Sequence, residues 1–188
     1  MAISELTQLV TPPAHPLQAD DGEAIRAVER FLGSALPADY FDLARHYGTG
    51  CFGDTTFYFW VDNPLRPRSA ELLELEIAYW RECREAFPDE YTHDLFPARP
   101  GYLPWGADVD GGRMGWLVQG PPDSWPVVAK SRDGVGFEVF EMPLTTFLAK
   151  ALRHEIRPEV WRPDFPEDVS RVTFVEGEHY HQSVAHRV

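Results

Sequence analysis

A chain of 188 residues, 44% hydrophobic and 13% aromatic, holds enough apolar material for one folded domain and too much for a disordered segment. Its formal charge of −13, from 30 acidic and 17 basic residues, argues against general nucleic-acid binding, which needs a basic surface to meet phosphates. The same charge serves solubility and admits a basic partner, because complementary fields steer encounter.

No apolar run approaches the ~20 residues that span a bilayer. The stretch from Met1 to Glu5 has no basic region followed by an apolar one. Neither a membrane association nor a signal peptide is therefore expected. Cys51 and Cys83 lie far apart without ligand spacing, so reduced thiols in a cytoplasmic protein are the expectation.

Residues 1–19 carry Pro12, Pro13 and Pro16 without periodicity and predict an extended arm ahead of a domain over 20–188. Asp20, three residues before Glu23, matches a capping box. Ala24, Ile25, Val28 and Leu32 form the apolar face of a helix that Gly33 stops. Pro37 suits the first position of a second helix, with Tyr40, Leu43, Ala44 and Tyr47 inward and Gly48 as its end. Residues 55–61, β-branched and aromatic, predict a strand. The longest helix should cover 70–87 from a Ser69 cap, with Leu73, Ile77, Trp80 and Phe87 on one stripe and Glu71, Glu74, Glu82 and Glu85 on the other side. Pro88 ends it, and 88–101 predicts loop.

Residues 103–152 place Trp105 at a turn, then an apolar run to Val118, strands at 125–129 and 137–140, and a helix over 145–152. Asp-Gly and Pro-Pro turns separate them, which describes an antiparallel meander closed by a helix. A C-terminal extension, 153–188, is proline- and acid-rich before a late strand at 172–175. The fold class is α+β: a single domain with an antiparallel-dominated sheet of about 5–6 strands and helices packed on it. Trp80, Trp116 and Trp125, within apolar periodic segments, should be core.

Motifs for chemistry are weak. Residues 48–53 spell G-x-G-x-x-G, but a helix precedes the loop and a strand follows, the reverse of a dinucleotide site. Asp108-Val109-Asp110 could open a calcium loop, yet the twelfth position is Gln119, so a turn that exposes carboxylates is favoured. His179 and His181 alternate along the tail near His186, with Glu176 or Glu178 as added ligands, but such tails are usually solvated. Cys51 follows a helix end near His46 instead of opening a helix, so nothing activates its thiol. No Ser stands in a G-x-S-x-G elbow. The expectation is no catalytic residue, no cofactor and no metal site, with an enzyme a distant third class.

Trp105-Gly106, a polar Gly-containing turn, a strand, then Trp125-Pro126-Val127-Val128 and a closing helix with Phe147-Leu148 make an ordered pattern. Leu36-Pro37-Ala38-Asp39-Tyr40 and Tyr47-Gly48-Thr49-Gly50 precede it. Over 22–152 this pattern resembles the SUKH superfamily, a set of bacterial immunity proteins and fungal cell-wall-synthesis regulators. One departure is Gly111-Gly112-Arg113, where the family places Gly before Asp or Asn. The resemblance implies a protein that binds and neutralises a cognate toxin, often a nuclease or other enzyme, without chemistry of its own. A regulatory or scaffold module for an endogenous partner is the alternative. Against a basic toxin domain, the turn carboxylates Asp54, Asp108, Asp110, Asp123 and Asp133 should mimic an anionic substrate or block its entrance. Trp105 should supply an exposed aromatic anchor.

Overall fold

A computed structural model describes residues 2–132 and 137–177, and these form seven antiparallel strands and five α-helices. In chain order they are α1 (Ala2–Leu9), α2 (Gly22–Leu32), α3 (Ala38–Tyr47), β1 (Gly50–Gly53), β2 (Tyr58–Val61), α4 (Ser69–Ala86), β3 (Gly101–Asp108), β4 (Arg113–Val118), β5 (Val127–Lys130), β6 (Glu138–Phe140), α5 (Leu144–Leu152) and β7 (Thr173–Glu176). The strands form one sheet in the order β6-β5-β4-β3-β2-β1-β7. The α+β class stands, with slightly more strands than the sequence suggested.

Local chemistry explains where the elements start and stop. Asp21, not Asp20, caps α2, accepting from the amides of Glu23 at 2.9 Å and Ala24 at 3.1 Å. Gly33 closes that helix at φ 61°, a left-handed conformation that costs glycine nothing. Pro37 brings no capping side chain to α3, and Asp123 supplies the acceptor, taking the Ala38 amide at 2.8 Å. The glycine run after α3 is itself a strand, β1, paired with β2 on one side and β7 on the other. Residues 54–57 form the turn between β1 and β2, so β2 begins later than the apolar run suggested. The Asp54 carboxylate holds that turn, accepting from the Thr56 amide and hydroxyl at 2.7 Å each and from the Phe57 amide at 3.0 Å.

Two expectations fail for tertiary reasons. Residues 2–9 are helical and not an extended arm, because Leu6 and Val10 are buried in the main core, where α1 packs on α5. Trp105 is not at a turn. It lies in β3, 0% exposed, with its ring 5.9 Å from that of Trp116. Pro104, which cannot donate to a ladder, shifts the register between Pro104 and Gly106. The Trp105 carbonyl instead accepts from the Asp62 amide at 2.7 Å.

The sheet has two packed faces. One carries Phe52, Phe59, Leu103, Trp105, Met114, Trp116 and Val127 into the main core, which Trp161 and Phe165 complete from the C-terminal segment. The other carries Tyr102 and Val128 under Trp80 of α4. Trp80, Trp116 and Trp125 are all buried, as expected. Phe87 leaves the α4 stripe and is 55% exposed, because it lies past the end of the helix.

Candidate functional site

A cavity of about 1040 Å³ runs between α4 and the sheet. Strand pairing dictates much of its floor. Trp60 of β2 lies opposite Ala107 of β3, Ala107 opposite Arg113 of β4, and Arg113 opposite Lys130 of β5. Directly opposed residues share a face, so Trp60, Arg113 and Lys130 all point towards the α4 side. Gly115, two residues after Arg113, leaves room for the Tyr102 ring, which a Cβ there would strike.

The connection from β2 to α4 adds Asp62 and Arg66. Asn63 pins it: Oδ1 accepts the Leu65 amide at 2.9 Å, and Nδ2 donates to the Gln18 carbonyl at 3.1 Å and the Thr49 hydroxyl at 2.9 Å. From α4 come Glu76, Tyr79 and Trp80. Glu76 accepts from the Trp80 indole N–H at 3.1 Å and faces Arg113 Nη1 at 3.7 Å. The Arg113 guanidinium stands 5.8 Å from the Tyr79 ring centre, and Lys130 Nζ stands 5.0 Å from that of Tyr91.

These groups are electrically coupled. Desolvation pushes the Asp62 carboxyl up to about 7, although Arg113 and Arg66 pull it down. Burial, reinforced by Glu76, raises the Tyr102 phenol well above its ordinary value. For Arg113 burial disfavours charge, but Glu76, Tyr102, Tyr79 and Asp62 outweigh it and hold the guanidinium charged. Nη1 of Arg66 and the Tyr102 hydroxyl are buried without a hydrogen-bond partner among the described residues.

The residues that the sequence nominated fare differently. Trp105 is core and cannot serve as an exposed anchor. Asp108 is 2% exposed, not a projecting carboxylate. Its Oδ1 accepts the Asp110 and Gly112 amides at 2.9 Å each, and burial pushes it up to about 6 against those bonds. Asp110 is exposed and takes a two-pronged bond from Arg162, Nε at 2.6 Å and Nη2 at 2.8 Å. That pairing holds Asp110 below the usual carboxylate range. The field of the same arginine also reaches Asp54 and Asp108, though only Asp110 bonds to it. Asp123 is exposed but occupied with capping α3. Asp133, like His179, His181 and His186, lies outside the described residues.

Cys51 is buried in β1, and His46 Nδ1 bonds the Asp42 carbonyl at 2.7 Å on an exposed helix face. Among the described residues no group of three or more His, Cys, Asp or Glu has the arrangement of a metal site, and no helix is long and apolar enough to cross a membrane. Asp62, Arg66, Glu76, Tyr102 and Arg113 come from four separate segments that no motif joins. The one signal in the sequence is Arg113 opening an otherwise apolar strand.

Compared with known proteins, the chain matches no family model, no curated protein and no solved structure.

Proposed function

We propose that this chain is a non-enzymatic binding protein of immunity type, acting in the cytoplasm, which neutralises a basic toxin domain by seating part of it at the mouth of the cavity beside α4. The observation that carries this is the composition of the rim. Leu75 projects from α4 at 54% exposure and Val109 from the β3–β4 turn at 39%, with half-buried Tyr58 and Trp60 also lining the cavity. Large apolar groups around a concavity with partly exposed aromatic rings supply the desolvated anchors of a protein interface.

Charge supports the same partner class. Glu71, Glu74, Glu82 and Glu85 are exposed along α4. An acidic ridge beside an apolar mouth attracts a basic surface and raises its association rate. The ordered SUKH-like pattern over 22–152 agrees with toxin neutralisation, and a protein that acts by occlusion needs no nucleophile.

Growth rescue tests it. The test is co-expression with a basic toxin domain wherever a neighbouring gene encodes one, together with Trp60→Ala and Leu75→Asp variants of unchanged Tm. Rescue by the parent chain and its loss in both variants is the expected outcome. Equal rescue by all three would overturn the assignment of the mouth, and no rescue by the parent chain would overturn the immunity function.

A further inference from the structure

The chain between α5 and β7 packs on the sheet face opposite α4, and over 157–168 it has no helix or strand of its own. Among the described residues no backbone–backbone hydrogen bond joins 157–168 to another element. Its amides bond only locally, Trp161 to the Pro158 carbonyl at 3.1 Å and Phe165 to the Arg162 carbonyl at 3.0 Å. Side chains attach it instead. Arg162 grips Asp110 with two bonds and donates to the Thr56 carbonyl at 2.8 Å. Glu138 Oε2 accepts the Glu159 amide at 2.6 Å, and His154 Nε2 donates to the Pro166 carbonyl at 2.6 Å. Val160, Trp161 and Phe165 are buried, and Trp161 stacks on Phe59 with ring centres 4.6 Å apart. A segment held in this way can lift as a unit without breaking a ladder or helix bond.

A carboxyl group lies beneath it. Asp108 of β3 is directly opposite Phe59 of β2, so its side chain enters the same face of the sheet. A Cβ at Gly112 would strike both Asp108 Oδ2 and Val160 Cγ2, which places carboxyl and strap side by side. Oδ1 holds the two turn amides, while Oδ2 is buried with no hydrogen-bond partner among the described residues. A charge in that position is costly, and lifting Val160 away returns it to water. Burial accordingly pushes Asp108 up to about 6.

We propose that residues 157–168 form a strap whose closure takes up a proton at Asp108, with the Arg162–Asp110 pair as its clasp. The charged groups around the sensor come from three places. Asp110 on the same turn opposes ionisation of Asp108, and Arg162 on the strap favours it. Arg132, after β5, acts on Asp110, while Asp54 and Asp164 share the field of Arg162. Because the closed value lies above the ordinary 3.8, closure is strongest in mild acid, weakens as pH rises through about 6, and is level above that. Asp110 sets the acid limit: Arg162 holds it below the usual carboxylate range, so the clasp is lost only in stronger acid. The strap goes beyond the toxin-binding reading and is tested on the chain alone.

Amide hydrogen exchange of the full chain, expressed as protection factors, removes the intrinsic effect of pH on exchange. The Glu159, Trp161 and Phe165 amides report the strap, and the β4–β5 ladder reports global unfolding. Strap protection should be lower than that of the ladder and should fall by about tenfold from pH 5 to pH 7. Asp108→Asn keeps an acceptor for the turn amides and should flatten that trend to within about twofold. Arg162→Gln removes a half-exposed side chain, so it remains informative if Asp108→Asn does not fold. It should lower strap protection severalfold at every pH and leave the trend in place. Strap amides that exchange only together with the ladder, a parent without the trend, a tenfold trend surviving in Asp108→Asn, or parent-like protection in Arg162→Gln would each overturn the proposal.

Discussion

Asp39, in the first turn of α3, caps a helix 106 residues further along the chain: its Oδ2 accepts from the Thr145 amide at 2.8 Å and the Thr145 hydroxyl at 3.0 Å. α5 needs this help because Pro143, the residue before it, offers no capping side chain. Burial raises the Asp39 carboxyl despite the two bonds, and Asp123 and Asp42 add to the rise. Asp39→Ala leaves both Thr145 donors unmatched and should destabilise the fold by about 1–2 kcal/mol in denaturant titration. Asp39→Asn, which keeps an acceptor, should cost less. Equal stability of the Ala variant and the parent would show that water replaces the cap.

Trp105→Ala separates a core tryptophan from an interface anchor. With the ring fully enclosed between Trp116 and Phe147, its removal should cost about 3–5 kcal/mol. Equilibrium unfolding measures it directly. A loss below about 1 kcal/mol would return Trp105 to the surface.

The N-terminal helix is also testable. Leu6 is fully buried, so Leu6→Ala should lower stability by about 2–5 kcal/mol. Amide exchange should then quicken in α1 and in the α5 surface beneath it. An extended, undocked arm would show neither change.

Asp62 gives a pH signature of defined sign. Its folded value, about 7, lies above its ordinary 3.8, so between these the native state keeps a proton that the unfolded chain has lost. Stability from this group is therefore full in acid, falls as pH rises through that window, and is level above it. Asp62→Asn cannot titrate. Its stability relative to the parent should climb by on the order of 1–4 kcal/mol from about pH 4 to about pH 7 and then stay constant. Denaturant titrations at several pH values would show a flat difference if Asp62 were well solvated.

The helices α2, α3 and α4 were legible because each pairs an apolar stripe with a local stop signal: Gly33, Gly48 and Pro88. The late strand was legible from the β-branched and aromatic residues of Val172 to Val175. α1 was not, because its reason for being helical is α5, far along the chain. Pro104 and the Trp105-Gly106 pair disguised β3, since a proline in a central strand is tolerated only with the register shift that follows it. The cavity was invisible for a related reason. Its charges come from β4, β5, α4 and the connection after β2, and only the register of the sheet and the placement of α4 bring them together.

The docking of α1 on α5 and of β7 on β1 also sets a timetable for synthesis. While the ribosome is still making the middle of the chain, Leu6 and Val10 have no α5 to cover them, and the outer edge of β1 stays open until Thr173–Glu176 has emerged. A nascent chain halted before residue 144 presents a greasy helix and an unpaired β-edge together, the two features that chaperones bind and aggregation exploits. The first helix is therefore among the last parts of the described fold to find its place.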